Sequence, residues 1–185
     1  MTVTETTAVR PGSRRHSVFH RLRVASVERL TDDAVAVTFD VPQHLGADYA
    51  FTAGQHVNVS VPGGDGIRRV AIKRIPDGTF SSFALAALSP GDELDVMTPA
   101  GRFTPDLDVG NAKHYVAVAA CSDITPVISI IGSILQVEPA SRVTLVYGNR
   151  TSQTVMFLDE LSDLKDAHHR RLESAPRPVN PTDPV

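Results

Sequence analysis

The run His114-Tyr-Val-Ala-Val-Ala-Ala-Cys-Ser-Asp-Ile-Thr-Pro-Val-Ile-Ser-Ile-Ile-Gly-Ser-Ile-Leu135 leaves the surrounding chain little choice of fold. Its first seven residues are apolar or small enough to read as a buried strand. From Thr125 onward the apolar positions recur with helical spacing. Between the two lies Cys121-Ser122-Asp123. A turn from a buried strand into a helix aims backbone N–H groups at whatever sits above it. Such turns take a pyrophosphate when glycines let the backbone close in on the anion. This turn has no glycine. By itself it is ordinary α/β scaffold more often than a nucleotide site.

The texture on either side of residue 111 differs. From residue 18 to about 103, short alternating or apolar runs are broken by turn residues, which is the pattern of an antiparallel sheet or barrel. Strands are predicted over residues 20–27, 35–41, 56–61, 69–75 and 93–98. A short helix follows Gly78, with Ser81 or Ser82 as its cap. The tight connection Pro62-Gly-Gly-Asp-Gly66 makes a hairpin of strands 56–61 and 69–75 the simplest pairing. After residue 111 the order becomes strand 114–120, helix 125–137, strand 142–147 and helix 156–170, an alternation that requires parallel βαβ packing. The division is a disordered tail over residues 1–17, a barrel over 18–105, a linker over 106–112, an α/β unit over 112–172 and a disordered proline-rich tail over 173–185. Four prolines in that last segment remove backbone donors, and little in it can be buried. Two parallel strands are few for a stable sheet, so the α/β unit reads as cut short.

Charge and cysteine content close off several classes of function. With 18 basic and 21 acidic residues the formal charge is -3, which gives no footprint for nucleic acid or anionic lipid. No membrane partner is expected. One cysteine excludes an intrachain disulfide and a cysteine-ligated iron–sulfur cluster held by this chain alone, and it suits a reducing cytoplasm. No metal site is expected. Cys121 would stand at a helix N-terminus, which lowers a thiol pKa, but no acid or base partner is identifiable and an inert thiol is the favoured reading. Ser122 lies in no Gly-x-Ser-x-Gly turn, so it is not taken as a nucleophile and no catalytic side chain is assigned.

Ala53-Gly-Gln-His-Val57, Asp77-Gly-Thr-Phe-Ser-Ser82, Gly91-Asp-Glu-Leu-Asp-Val-Met-Thr-Pro-Ala-Gly-Arg-Phe103, Ile124-Thr-Pro126 and Val146-Tyr-Gly-Asn-Arg150 occur together in this order. The set resembles the ferredoxin-NADP reductase-type flavoproteins, and within them the reductase components of oxygenases of the phenylacetate-degradation type, over about residues 18–172. The resemblance implies a β plus α/β architecture, with an antiparallel FAD-binding-type β-barrel followed by a truncated NAD(P)-binding-type α/β domain. It implies FAD and NAD(P)H as cofactors, with an oxygenase component or iron–sulfur protein as partner; the family's iron–sulfur cluster is not expected in this chain. By position, Arg69 matches the arginine of an Arg-x-Tyr-Ser flavin motif. Gly78, Thr79, Phe80, Ser81 and Ser82 match the segment that meets the FAD pyrophosphate. Cys121, Ser122, Asp123, Ile124, Thr125 and Pro126 match the nicotinamide loop, and Tyr147, Gly148, Asn149 and Arg150 match the segment that receives the adenosine end of NAD(P).

Three departures accompany the resemblance. Arg69 runs directly into Val70-Ala-Ile-Lys73 where the family places the rest of a strand and a turn, so the flavin-packing tyrosine and its serine have no counterpart and the barrel is one strand short. Cys121 and Asp123 replace glycines. At roughly 4 Å and an effective dielectric near 20, one carboxylate against a phosphate costs about 4 kcal/mol. The later strands of the NAD(P) unit are missing as well. The sequence is therefore read as an FAD/NAD(P)H-dependent reductase component with impaired cofactor sites. The competing reading is a non-catalytic remnant or docking module of the same fold.

Overall fold

The computed structural model describes residues 18–55 and 67–178. Among the described residues, seven strands form two sheets, accompanied by three α-helices. The first sheet is antiparallel, in the order β3-β2-β1-β4, from β1 (Phe19–Thr31), β2 (Ala34–Asp40), β3 (Ile67–Lys73) and β4 (Glu93–Met97). Short side chains at Asp32 and Asp33 turn β1 into β2, and the pair holds register from Thr31↔Ala34 out to Arg23↔Asp40. The curled sheet forms a half-barrel around Leu22, Val24, Val35, Val37, Phe39 and Tyr49, all at most 3% exposed. The strand predicted at 56–61, its hairpin with 69–75 and the closing of the barrel lie outside the described residues.

The helix α1 (Thr79–Ala86) begins one turn earlier than its serines suggest. Gly78 is its N-cap, and Ser81 and Ser82 lie inside it. The Ser81 hydroxyl instead accepts from the Ile75 N–H at 3.1 Å and donates to the Gly78 carbonyl at 3.2 Å, so it ties the incoming turn to the helix.

The second sheet is parallel, in the order β5-β6-β7, with β5 (His114–Ala120) beside β6 (Arg142–Asn149) and β6 beside β7 (Leu172–Pro178). The helix α2 (Ile124–Val137) connects β5 to β6, and α3 (Leu158–Ala167) connects β6 to β7. Both crossovers run in the same direction across the sheet, so the two helices share one face. The core there contains Ile124, Ile131, Ile134 and Leu135 of α2, Val143, Leu145 and Tyr147 of β6, and Leu161 and Leu172. Val116 (67% exposed) and Val118 (73%) point to the other, uncovered face.

β7 corrects two expectations. The sheet has three strands rather than two, and residues 173–178 of the segment assigned to a disordered tail are paired with β6 from Val143↔Leu172 to Asn149↔Pro178. The reason lies in the phase of the prolines. The Val143 N–H donates to the Arg171 carbonyl at 2.7 Å, which sets the odd-numbered residues of β7 toward β6. Pro176 and Pro178 take the alternate positions, whose missing N–H would face the open edge, where proline is tolerated. α3 is also shorter than the predicted 156–170, because Phe157 adopts a left-handed backbone (φ 59) that starts the helix at Leu158.

The two sheets meet at a close approach. Gly54 has φ +87, and a Cβ built there would lie 1.7 Å from the Phe103 carbonyl oxygen and 2.8 Å from Cδ1 of Ile130 in α2. Only glycine lets the Ala53-Gly54 turn pass this seam.

Candidate functional site

At the N-terminal ends of the parallel strands, the buried polar groups are satisfied. Glu138, with no exposed surface, accepts from Asn111 Nδ2 at 2.6 Å, Ser141 Oγ at 2.7 Å, the Asp108 N–H at 3.2 Å and the Tyr115 hydroxyl at 3.0 Å. Burial pushes this carboxyl up, but the donors from Asn111, Ser141, Asp108 and Tyr115 outweigh it and hold the pKa at about 2. Arg171 adds a second layer, donating to the carbonyls of Leu135 at 2.6 Å and Glu138 at 2.9 Å, which are the orphan acceptors at the end of α2.

The C-terminal ends are arranged differently. After Ala120 the chain makes one 3-10 turn over Cys121–Asp123, with Cys121 held at φ 48. This is the left-handed region that favours glycine, so the residue that replaces a glycine keeps a glycine's conformation. The hydroxyl of buried Tyr147 fixes the turn, donating to the Cys121 carbonyl at 2.9 Å and accepting the Met156 N–H at 3.2 Å. Burial raises the Tyr147 pKa to about 12, so it remains a donor. Next in the same strand, Asn149 is 2% exposed, and neither its Nδ2 nor its Oδ1 makes a hydrogen bond. It lies near enough to the Tyr147 hydroxyl to lower that group's pKa, yet outside bonding geometry. Gly148 pairs with Ala120, so Asn149 falls level with the start of the Cys121 turn.

A cleft of about 680 Å3 opens between the two sheets. One wall is Ser122, Asp123, Thr125, Pro126 and Val127 at the mouth of α2, together with Val118 of β5. The other comes from Ala71, Lys73, Arg74 and Ile75 at the end of β3, with Phe103. α2 has no side-chain cap and continues from the 3-10 turn, in which the Ile124 N–H donates to the Ser122 carbonyl; the Thr125 hydroxyl donates to the same carbonyl at 3.0 Å. Asp123 does not face the cleft alone. Lys73 shares it, paired with Asp33 at 3.3 Å, and exposed Arg74 follows it. Two cations that lie 49 and 50 positions away in sequence thus share the cleft with Asp123, one of them already paired with Asp33.

The sequence-predicted residues separate into groups. Ser122, Asp123, Thr125 and Pro126 line the cleft, whereas Ile124 is fully buried in the core and Tyr147 is a buried support beneath the turn. Arg150 is exposed and Gly148 half-buried. Arg69 lies in β3 opposite Thr38. Gly78 to Ser82 form a second uncapped helix mouth outside the cleft, joined to it through Ile75, whose carbonyl accepts the Gly78 N–H at 2.9 Å. Lys73, Arg74, Ile75 and Phe103 were missed as site residues. Lys73 and Phe103 end two of the motif strings, but nothing in a linear sequence shows that those ends meet. Another hollow, of about 600 Å3 and lined by His20, Asp48, Gln55 and Thr98 among others, ends at the last residue before the undescribed stretch 56–66. Among the described residues no three His, Cys, Asp or Glu converge as a metal site, and no helix is long and apolar enough to cross a membrane.

Comparison with known proteins agrees with this fold. The oxidoreductase NAD-binding domain family matches residues 118–183. One of the subunits of the 1,2-phenylacetyl-CoA epoxidase of Escherichia coli K12 is 42% identical over 172 residues, covering 85% of this chain and 48% of that protein. That alignment is longer than the part of the chain it covers, so the relative carries residues within the matched stretch that this chain lacks. Among solved structures, phthalate dioxygenase reductase, described as a modular structure for electron transfer from pyridine nucleotides to [2Fe-2S], superposes with a TM-score of 0.67 at 26% identity, over 90% of this chain and 54% of that one. The ferredoxin-NADP+ reductase of Plasmodium falciparum shares the fold with a TM-score of 0.71 at 15% identity, over 85% and 69% of the two chains. The chain spans about half the length of the curated relatives it matches. In sequence and in fold, this chain belongs to the ferredoxin-NADP reductase-type family of oxidoreductases.

Proposed function

We propose that this chain carries the FAD- and NAD(P)H-binding parts of a cytoplasmic electron-transfer reductase that serves an oxygenase of the phenylacetate-degradation type through an iron–sulfur protein. The observation that carries the reading is the unpaired, buried amide of Asn149 beside the uncapped mouth of α2, at the C-terminal ends of parallel strands. A native fold seldom leaves both ends of a buried amide unbonded, and this end of a parallel sheet is where open α/β folds take ligands.

The residues present fit both groups. For the dinucleotide, Asn149 offers a donor and an acceptor, the N-terminal end of α2 presents the positive end of its dipole, and Lys73 and Arg74 supply positive charge from across the cleft. For the flavin, the candidate is the N-terminus of α1, where Gly78 is the N-cap because the turn packs closely on it: an added Cβ would meet Ser81 Oγ at 2.6 Å and the Ile75 carbonyl oxygen at 3.0 Å. The pyrophosphate would rest on the N–H groups of Thr79, Phe80 and Ser81. When both are bound, the nicotinamide supplies a hydride that the flavin accepts and releases as single electrons. The protein would orient the rings, with Phe103 and Val118 as apolar surface in the cleft. In this reading the antiparallel half-barrel over 18–105 and the α/β unit from 112 are the two cofactor domains. β7 belongs to the second.

A second reading, a non-catalytic module of the same fold, is favoured by Asp123 in the cleft wall and by the uninterrupted strand β3, which runs from Ile67 to Lys73 with no tyrosine or serine in it. The two are separated by purifying the protein with added FAD and recording its visible spectrum, then adding NADPH without air. Flavin that co-elutes and bleaches supports the reductase. A colourless protein that does not quench added flavin leaves the module. Asp123→Asn is expected to tighten NADPH by several-fold, and no change would show that Lys73 and Arg74 already neutralise that carboxylate.

A further inference from the structure

Two left-handed backbones stand at the C-terminal end of the parallel sheet. Cys121 has φ 48 in the turn that follows β5, and Phe157 has φ 59 at the start of α3. Neither is glycine, so each conformation costs energy that its surroundings have to offset. One side chain reaches both places. The Tyr147 hydroxyl donates to the Cys121 carbonyl at 2.9 Å and accepts the N–H of Met156, the residue before Phe157, at 3.2 Å. Tyr147 is 1% exposed and Met156 fully buried, so neither bond is easily exchanged for one to water. A phenylalanine would fill the same space. What the hydroxyl adds is the pair of backbone bonds, without which burying it would be costly.

Asn149 lies two positions further along β6, and the alternation of buried residues there puts both side chains on the same side of the strand. Two loops flank that amide. The Cys121 turn does so because Gly148 pairs with Ala120, and the segment 150–157 does so because it leaves the strand at Asn149. We propose that Tyr147 is a positioning residue that locks these two loops together, so that the surroundings of Asn149 are held in one arrangement before a dinucleotide arrives. That a dinucleotide is what arrives rests on the function proposed above, whereas the lock does not. Without the hydroxyl each loop is free to leave its left-handed conformation alone, and a site formed a tenth of the time binds about tenfold more weakly. Glycine takes positive φ without strain. Replacing Cys121 by glycine should therefore matter little while the hydroxyl is present and much more once it is gone.

Amide hydrogen exchange of the full chain tests the lock, and NADPH titration tests its consequence. In the unaltered protein, segments 121–124 and 152–158 should open with the same protection, a result that needs no variant to fold. Tyr147→Phe should speed exchange in both together, by about tenfold, and weaken NADPH by about as much while added FAD is held as before. Cys121→Gly in the same variant should restore most of that affinity. Tyr49→Phe is the control, since it removes a buried hydroxyl bonded to the Val96 carbonyl at 2.7 Å in the other sheet. It should lower the thermal midpoint and leave NADPH affinity where it was. Unequal protection of the two segments, or faster exchange in only one of them, overturns the proposal. So does an NADPH affinity that Tyr147→Phe leaves unchanged, that Cys121→Gly does not restore, or that Tyr49→Phe lowers equally. An unaltered protein that takes up no NADPH counts against the proposed function alone, and the exchange of the two segments then decides the lock.

Discussion

The two ends of the parallel sheet treat buried polar groups in opposite ways. At the N-terminal end, one carboxylate takes four donors and one guanidinium closes the carbonyls of a helix end. At the C-terminal end, an equally buried amide makes no hydrogen bond of good geometry among the described residues, and a cysteine sits in the left-handed conformation that favours glycine. Both ends belong to the same strands, so the difference is not one of propensity. On the proposed function, it separates the part of the sheet that keeps the fold from the part that would take a ligand, and natural chains break local rules where function requires it.

The largest effect should come from breaking the saturated end. Glu138→Ala leaves the donors of Asn111, Tyr115, Ser141 and Asp108 without their acceptor. It is expected to lower the thermal midpoint by roughly 10 °C, measured by scanning calorimetry. The same end sets an acid limit. Because the Glu138 pKa is about 2 folded against 4.5 ordinarily, its contribution is complete above pH 4.5 and is lost as pH falls toward 2. Denaturant titrations across that window should show a slope that Glu138→Gln flattens, and an unchanged slope would mean the carboxylate is not held as described.

Smaller changes belong to the open end. Asn149→Leu removes an amide that has nothing to lose, so stability should hold or rise by about 1 kcal/mol. NADPH affinity should meanwhile fall about tenfold, or about 1.4 kcal/mol. A large loss of stability instead would show that Asn149 is structural and that the two ends are alike. The smallest effect is expected from Cys121→Gly. Relief of the left-handed backbone is worth about 1 to 2 kcal/mol, and the added freedom of the unfolded chain takes back about half, leaving a gain of up to about 1 kcal/mol. A destabilised variant would mean that the thiol packs in a way its conformation does not require.

Much of this was legible in the chain. β5 falls on the predicted residues 114–120, and α2 begins one residue before the predicted 125, because an apolar run and a 3.6-residue period are signals carried by neighbours in sequence. β7 was not legible. Four prolines read as a tail until the sheet assigns two of them to the phase that needs no donor. Ser81 and Ser82 read as caps, but Gly78 starts the helix and Ser81 braces the turn before it. Tyr147 read as a ligand contact, and only its burial shows that it holds the Cys121 turn from below.

The sequence by itself determined the class of fold, the order of its elements, the family, and the turn where a glycine was replaced. The first two follow from composition and local period and the last two from the resemblance of the ordered motifs, and all four survive without knowledge of any distant contact. Tertiary structure alone decided that Lys73 and Arg74 line one cleft with Asp123, that Glu138 is saturated and Asn149 is not, and that two prolines of β7 take the phase that needs no donor. Each depends on residues far apart in sequence being brought within a few ångströms, and on which side of a strand an N–H points once its neighbour is in place.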